Sequence, residues 1–401
     1  MSDEARKRAL KNLGIKPSHR VILSLDGGGI RGIMTIELLR KLEEVAEAPC
    51  HEFVDMVAGT STGGIIAGLI AKQNTAAQIA ELYRRLVKKV FKSAGMFANR
   101  FLNPPEYTKS SYRSALRRVV GEDTTLRDAC SASGIDIMIT AKDVAAGEET
   151  FFTCIRNPAN RRFTGTYRNV LLRAAMESTM SAPTYFHPFE RFVDGGVTTY
   201  NSPAMAAIIE AIRYGPKDAY NMKKLTVLSF GTGCRPQFVA LEDVADPDGS
   251  DSKFWLQWLM TEAGDDAADL QNAFLRTQGL FGGFEFRRFQ ISLDRESIRK
   301  LPNKPVGDLD ETDADWLWDL TDEELASIQL DNVDYFPIMQ VIGRAFAEKL
   351  VAVAQKDGHK VFGRDLINAK RRDLLVSSRG DVNRIKQQLS NSAWVDDFRP
   401  V

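Results

Sequence analysis

The sequence predicts an α/β fold with a parallel sheet, followed by a mostly helical C-terminal extension. Short apolar runs alternate with amphipathic helical patterns as far as Gly233, which is typical of βαβ units. The first strand, helix and strand follow one another within about forty residues, which implies a right-handed parallel crossover. Beyond Cys234 strand signals become sparse and helical patterns prevail. We therefore expect an α/β domain over residues 20–235 and a helical extension over 236–401, which would serve as a cap or regulatory region.

Composition places the chain among ordinary globular proteins. It has 401 residues, of which 44% are hydrophobic and 26% are charged, enough for one large domain with an appendage or for two domains. Lys plus Arg and Asp plus Glu number 53 each, so no nucleic-acid polymer is expected as a partner. The four cysteines lack C-x-x-C spacing, which argues against a zinc site or a disulfide framework, and no metal or other cofactor is expected.

The N-terminus is charged and lacks the apolar core of a signal peptide. Nowhere do eighteen uncharged apolar residues run together, as a membrane-spanning helix would need. We therefore expect a cytoplasmic protein.

The first two predicted strands are separated by a glycine-rich turn and a helix. A polar leader over residues 1–19 precedes a predicted strand at Val21–Leu25, which runs into a glycine-rich turn at Asp26–Gly32. The next helix carries apolar residues at three-residue steps with charged residues between them, and it stops before Pro49. The apolar run Phe53–Val57 is predicted as the second strand.

The later helices and strands are predicted from the same apolar patterns and from helix-capping residues. A capping box at Thr75–Gln78 opens a helix with one apolar and one basic face. The remaining predicted elements are a brief helix over 112–119, strands over 135–141, 151–155, 192–193 and 225–230, and helices over 171–180 and 203–212. After Cys234 we predict an acidic linker over 243–251, a strand over 285–293, and helices over 254–259, 339–355 and 364–389.

A glycine-bounded serine lies between two apolar runs in the segment Val57–Ala67. Gly59, Ser61 and Gly63 fit the G-x-S-x-G pattern of a nucleophile elbow, in which the following helix crosses close behind the serine. The pattern alone arises by chance, but here an apolar strand precedes it and an apolar helix follows, as the elbow requires. The N–H groups at the start of that helix favour a developing oxyanion. Ser61 is therefore predicted to be a nucleophile.

A nucleophilic serine needs a base, and none of the histidines is well placed. His19 lies in the leader, His51 precedes the predicted strand Phe53–Val57, and His359 lies in a turn. His187 has aromatic neighbours that favour a packed structural role, although it stays the alternative base. We favour Asp194, because Asp-Gly-Gly after a strand puts a carboxylate at the sheet edge where Ser61 is expected. A partly desolvated carboxylate has a raised pKa and can accept the serine proton directly.

Three successive glycines supply the third motif. Gly27, Gly28 and Gly29 expose backbone N–H groups that side chains would otherwise screen, and Arg31 adds a positive charge. Such a nest of N–H groups can hold an oxyanion.

The same glycines also fit a dinucleotide fingerprint, since Gly27-x-Gly29-x-x-Gly32 follows a strand and precedes a helix. In that fold the second strand ends in an acidic residue for the ribose, whereas this one ends at Gly59 with Ser61 beyond it. The chain also lacks the Gly-Lys-Ser/Thr of a triphosphate-binding loop. The oxyanion interpretation is therefore favoured.

Together, Asp26–Gly32, Gly59–Gly63 and Asp194–Gly196 resemble the motifs of the patatin-like phospholipases, in the same order and spacing. The resemblance covers roughly residues 20–233. It implies a three-layer α/β/α fold with a mainly parallel central sheet. It also implies a Ser61–Asp194 dyad in place of a triad, an oxyanion hole from Gly27 to Gly29, and hydrolysis of acyl esters in phospholipids or related lipids. Similar sequences include bacterial anti-phage effectors whose lipase activity is switched on by cyclic nucleotides, which implies such an activator here.

We therefore expect a serine lipid acyl hydrolase that acts on membrane phospholipids and contacts the membrane peripherally. The alternative is a non-catalytic lipid- or nucleotide-binding module on the same fold. The segment after Cys234 is either a cap that opens on ligand binding or homo-oligomerisation, or part of the hydrophobic core. The basic helix face over 84–92 is either a contact for anionic lipid or simply a solvated surface.

Overall fold

The computed structural model describes residues 3–90, 110–183, 185–234, 267–277, 283–301, 319–321, 324–325, 328 and 331–356. Within these ranges one sheet contains β1 (Arg20–Leu25), β2 (Met56–Gly59), β3 (Asp136–Asp143), β4 (Glu148–Arg156), β5 (Phe163–Thr164), β6 (Phe192–Asp194), β7 (Leu225–Phe230) and β8 (Glu285–Phe289).

The helices of the described ranges are α1 (Asp3–Asn12), α2 (Gly32–Ala46), α3 (Cys50–Phe53), α4 (Thr62–Ala71), α5 (Ala76–Val90), α6 (Ser110–Val120), α7 (Leu126–Ser133), α8 (Leu172–Thr179), α9 (Ala204–Ile209), α10 (267–277), α11 (Arg295–Ile298) and α12 (Phe336–Lys356). None of them is both long and apolar enough to cross a membrane.

The sheet is mainly parallel, as predicted. Its strand order is β5-β4-β3-β2-β1-β7-β8, and β6 pairs with β3 off this path. All neighbours from β3 to β8 along that order run parallel, while β4, β5 and β6 pair antiparallel. The central strands β2 and β7 are buried along their whole length, because helices cover both faces of the sheet.

Two hydrophobic clusters lie on the two faces of the sheet, which gives the predicted three layers. Successive side chains of a strand point to opposite faces. Accordingly Leu23 and Leu25 of β1 pack in a cluster with residues of α2, α4 and α5, while Ile22 packs in a second cluster with residues of α9.

Two local predictions were wrong. The leader is not merely polar, because α1 lies within it and Leu10 and Leu13 are fully buried in the core. The second strand begins at Met56 rather than Phe53, because Cys50–Phe53 forms the helical turn α3. Pro49 precedes that turn with φ −66°, which suits the start of a helix, and an apolar run by itself does not distinguish strand from helix.

The described part of the segment after Cys234 is built into the same fold. β8 adds a parallel strand to β7, which confirms the strand predicted near residue 285. α12 packs against α2 so closely that a Cβ on Gly343 would lie 2.7 Å from Met34 Cα. Buried Glu37 on α2 accepts hydrogen bonds from Gln340 Nε2 at 2.6 Å and Arg344 Nε at 3.1 Å. The linker predicted over 243–251 and the helices predicted over 254–259 and 364–389 lie outside the described residues.

Candidate active site

Ser61 lies at a sharp turn between β2 and α4. Its φ of 51° and ψ of −122° are unusual for a residue with a side chain, as expected at an elbow. A Cβ on Gly59 would lie 2.1 Å from Gly63 O, and a Cβ on Gly63 would lie 2.1 Å from Leu25 O, so the turn has room only for glycine at both positions. The Ser61 N–H donates to Thr179 Oγ1 at 2.7 Å, and this hydrogen bond stabilises the strained backbone of Ser61.

The structure brings Ser61 and Asp194 into direct contact. Ser61 Oγ donates a hydrogen bond to Asp194 Oδ2 over 2.6 Å. The other carboxylate oxygen, Oδ1, accepts from the Gly196 N–H at 2.7 Å, so the turn after β6 fixes the carboxylate plane. The Met180 Sδ atom lies 3.9 Å from Ser61 Oγ.

Burial raises the pKa of the Asp194 carboxyl to about 7, because the charged form loses hydration. The side chain is 4% exposed. Hydrogen bonds from Ser61 and the Gly196 N–H favour the carboxylate and oppose part of this rise. A carboxyl that titrates near neutral pH can both accept a proton and give it back.

The glycine-rich loop lies directly beside the serine. A Cβ built on Gly27 would be 3.2 Å from Ser61 Cβ and 2.4 Å from Asn201 Oδ1. The Gly27 N–H donates to Asn201 O at 3.3 Å. Within the described part of the chain, the N–H groups of Gly28 and Gly29 donate no hydrogen bond, so both remain available to a ligand.

Arg31 is close to the loop, but its guanidinium is directed at main-chain carbonyls. Nη1 donates to Gly233 O at 3.3 Å, and Nε lies 3.5 Å from Gly28 O. In this geometry the side chain links the loop after β1 to the loop after β7. A direct part for Arg31 in holding an oxyanion stays a prediction.

Two side chains near the loop were not predicted from the sequence. Arg288 on β8 donates to Asp26 Oδ2, and the two are 4% exposed. Thr232 Oγ1 donates to Gly27 O at 2.7 Å. Neither residue belongs to a recognisable motif at its own position, although the sequence Gly231-Thr232-Gly233 ends an apolar strand. For Thr232, the one signal in the sequence was a polar residue between two glycines at the end of a predicted strand.

No histidine of the described ranges hydrogen-bonds to Ser61 or Asp194. His187 is exposed, not packed as its aromatic neighbours predicted. His19 Nδ1 lies 2.9 Å from Thr226 Oγ1, which is on the first half of β7, away from the glycine-rich loop. His359 lies outside the described residues.

Comparison with known proteins gives a consistent set of relatives. The family model described as patatin-like phospholipase matches residues 23–208. The chain is 30% identical over 233 residues to a cGAMP-activated phospholipase of Escherichia coli strain TW11681, covering 54% of this chain and 63% of that protein. It is 31% identical over 250 residues to the 85/88 kDa calcium-independent phospholipase A2 of Mus musculus, covering 58% of this chain and 30% of that protein.

A third relative, Patatin-17 of Solanum cardiophyllum, is 29% identical over 251 residues, covering 54% of this chain and 61% of that protein. The chain thus spans less than two thirds of the length of each of these relatives. Among solved structures, human GIVD cytosolic phospholipase A2 aligns with 90% of this chain and 63% of that chain at 10% identity and a TM-score of 0.38. That score is too low to carry an inference.

Proposed function

Because this chain carries a patatin-like phospholipase domain over residues 23–208, we propose that it is a serine acyl-ester hydrolase that cleaves membrane phospholipids with a Ser61–Asp194 dyad. The observation that carries the proposal is the 2.6 Å hydrogen bond from Ser61 Oγ to Asp194 Oδ2. A nucleophile and its base must lie within such a distance before proton transfer can occur.

In the first half of the reaction, Ser61 Oγ attacks the ester carbonyl carbon while Asp194 accepts the hydroxyl proton. The carbonyl oxygen becomes negatively charged in the tetrahedral intermediate. Asp194 then returns the proton to the departing alcohol oxygen as the ester C–O bond breaks, which leaves the acyl group on Ser61. The pKa of about 7 suits both steps, because the group loses and regains a proton with little cost near neutral pH.

In the second half, water attacks the acyl carbon and Asp194 accepts a proton from it. The intermediate collapses when Ser61 Oγ leaves and takes that proton back from Asp194. A free fatty acid is released, and the hydroxyl and the carboxylate return to their starting states. No other proton carrier is needed.

The oxyanion of both intermediates is assigned to the glycine-rich loop. Within the described residues the N–H groups of Gly28 and Gly29 donate no hydrogen bond, whereas the Gly27 N–H is already donated to Asn201 O. The N-terminus of α4, which begins at Thr62, adds its positive dipole end on the same side of the serine. Arg31 supports this oxyanion hole indirectly, because its guanidinium contacts the loop carbonyl Gly28 O.

Contact with the membrane is a further part of the proposal, together with a cytoplasmic location. The basic face of α5 is one candidate surface. Arg84 Nη1 and Arg85 Nε each lie 2.8 Å from a Glu81 carboxylate oxygen, so two of its charges are already paired. This pairing favours the alternative of a solvated face for Arg84 and Arg85. The side chains of Lys88, Lys89 and Lys92 lie outside the described part of the structure, so their contact with anionic lipid stays a prediction.

Control by a cyclic nucleotide is proposed from the relatives alone. The Escherichia coli relative and one from Vibrio cholerae, 29% identical over 234 residues, are both named cGAMP-activated phospholipases. We propose that a cyclic nucleotide, with homo-oligomerisation, raises hydrolysis by this chain. A panel of cyclic di- and trinucleotides added to the wild type tests this. No stimulation by any of them, with the protein folded and lipid present, would count against nucleotide control.

The alternative is a lipid- or nucleotide-binding module without catalysis. A module of that kind has no need of a carboxyl held against a strained serine, so the Ser61–Asp194 contact favours the enzyme. Mixed phospholipids incubated with wild type and Ser61→Ala, with fatty acids and lysolipids read by mass spectrometry, decide between the two. Equal product from both proteins would reject the hydrolase.

A further inference from the structure

The glycine-rich loop has a different neighbour on each side. β1 pairs with β2 on one side, where Leu25 lies opposite Gly59, and with β7 on the other. The loop that follows β1 is therefore flanked by Ser61, which follows β2, and by Thr232, which follows β7. A peptide group lying across this loop can direct its N–H at only one of them.

The carbonyl of the first peptide in the glycine triplet points to the β7 side. Thr232 Oγ1 donates to Gly27 O over 2.7 Å, and the Thr232 side chain is 3% exposed. The described part of the chain contains no cis peptide bond, and in a planar trans peptide the N–H points opposite to the carbonyl. The Gly28 N–H, which shares this peptide, therefore points to the β2 side, where Ser61 lies.

We propose that Thr232 is a positioning residue: its hydroxyl fixes the peptide between Gly27 and Gly28 so that the Gly28 N–H is aimed at the oxyanion formed on Ser61. The inference rests on the proposed hydrolase function and adds a residue to it. Thr232 itself does not touch the substrate. Its effect passes through the peptide plane that it holds.

Packing around Gly28 supports the assignment. A Cβ on Gly28 would lie 2.1 Å from Thr232 Oγ1 and 2.5 Å from Thr232 Cβ, so the loop backbone is pressed against this side chain. The Gly28 N–H donates no hydrogen bond within the described residues, whereas the Gly27 N–H donates to Asn201 O. Of these two donors, Gly28 is thus both oriented and unused.

The test compares variants that keep or remove the hydroxyl. Thr232→Val and Thr232→Ala remove it, and Thr232→Ser keeps it. Loss of a whole oxyanion donor costs about a hundredfold to a thousandfold in kcat, so a misdirected donor is expected to cost roughly ten- to a hundredfold. KM and the pH profile should not change, because Asp194 and the lipid contacts are untouched. Thr232→Ser should retain most of the activity.

Thr226→Val is the matched control. Thr226 is a fully buried threonine on β7, the strand that Thr232 follows, and its hydroxyl hydrogen-bonds to Glu285 Oε2 at 3.0 Å, away from the loop. It should lose stability like the Thr232 variants but keep its kcat. The inference is overturned if Thr232→Val and Thr232→Ala keep the kcat of Thr226→Val, or if Thr232→Ser is as impaired as they are. If Ser61→Ala turns over like wild type, the proposed function fails and the inference fails with it.

Discussion

Arg288 Nη2 lies 2.5 Å from Asp26 Oδ2, and both side chains are almost wholly buried. Asp26 directly precedes the glycine triplet after β1, and Arg288 lies on β8, after all the catalytic motifs. Arg288 Nη1 also donates to Ser229 Oγ at 3.0 Å on the intervening strand β7. The ion pair therefore joins β8 to the loop beside Ser61.

The first prediction follows from this pair. Arg288→Met should lower the free energy of unfolding by about 3–5 kcal/mol, because it leaves the Asp26 carboxylate buried without its charge partner. Denaturant unfolding followed by circular dichroism measures this. Arg85→Met is the control, since Arg85 is exposed and its partner Glu81 is only half-buried, and surface pairs contribute at most about 1 kcal/mol. Equal losses in the free energy of unfolding would show that the buried ion pair stabilises the fold no more than the surface pair does.

The second prediction concerns the nucleophile. Ser61→Ala should fold normally and lose acyl hydrolysis by at least about a thousandfold, because the covalent route is removed. A fluorophosphonate should label Ser61 in the wild type and nothing in the variant, as read by mass spectrometry of peptides. Ser61→Gly should be equally inactive yet at least as stable as Ser61→Ala, because glycine adopts a φ of 51° without strain. Near-normal turnover by folded Ser61→Ala contradicts the assignment.

The third prediction separates the two candidate bases. Asp194→Asn should lose activity nearly as completely as Ser61→Ala, because an amide cannot accept the serine proton. The exposed His187 provides the comparison, and His187→Ala should keep its activity and stability. Steady-state kinetics on a dispersed phospholipid gives both values. An active Asp194→Asn beside an inactive, folded His187→Ala would replace the dyad by another arrangement.

The fourth prediction concerns pH. Protonated Asp194 cannot accept a proton, so kcat/KM should fall as pH drops below about 7, the raised pKa of this group. The stability effect has the opposite sign. A carboxyl whose pKa is raised on folding favours the folded state most at low pH, and this contribution is lost as pH rises through about 7. Relative to Asp194→Asn, the wild type should therefore become less stable between about pH 4 and pH 7. Parallel unfolding curves for the two proteins across that range would contradict the assignment of the pKa.

The fifth prediction concerns the basic face of α5. Each near-surface basic residue contributes about 1 kcal/mol to binding of anionic lipid, so Lys88→Glu with Lys89→Glu should weaken sedimentation with anionic liposomes at low salt. The control is Arg161→Glu with Arg162→Glu, which reverses two exposed charges in the segment between β4 and β5. Identical binding by both double variants and the wild type would leave the solvated face as the correct interpretation.

Local patterns were enough for most elements. Glycines on both sides of Ser61 and the apolar runs around them predicted β2, the elbow and α4, because backbone conformation at such a turn depends on adjacent residues. The capping box at Thr75 is confirmed by the bond from the Gln78 N–H to Thr75 Oγ1 at 3.2 Å. The prediction of a polar leader was wrong, because the burial of Leu10 and Leu13 depends on what α1 packs against, which local patterns do not show.

In the candidate site too, some features follow from local sequence and others only from the tertiary structure. By itself the sequence determined that a serine elbow, a glycine triplet and an Asp-Gly-Gly turn each follow a strand, since these are short-range features. Because parallel strands bring their carboxyl ends to one edge, Ser61 and Asp194 were expected to meet. The two side chains do meet, but β6 runs antiparallel to β3, and Asp194 lies opposite Ala141 near the carboxyl end of β3. Only the tertiary structure decided the partners that hold them. Thr232 reaches Gly27 across 205 residues, and Arg288 reaches Asp26 across 262. Such pairs depend on strand order and register, which no local pattern specifies.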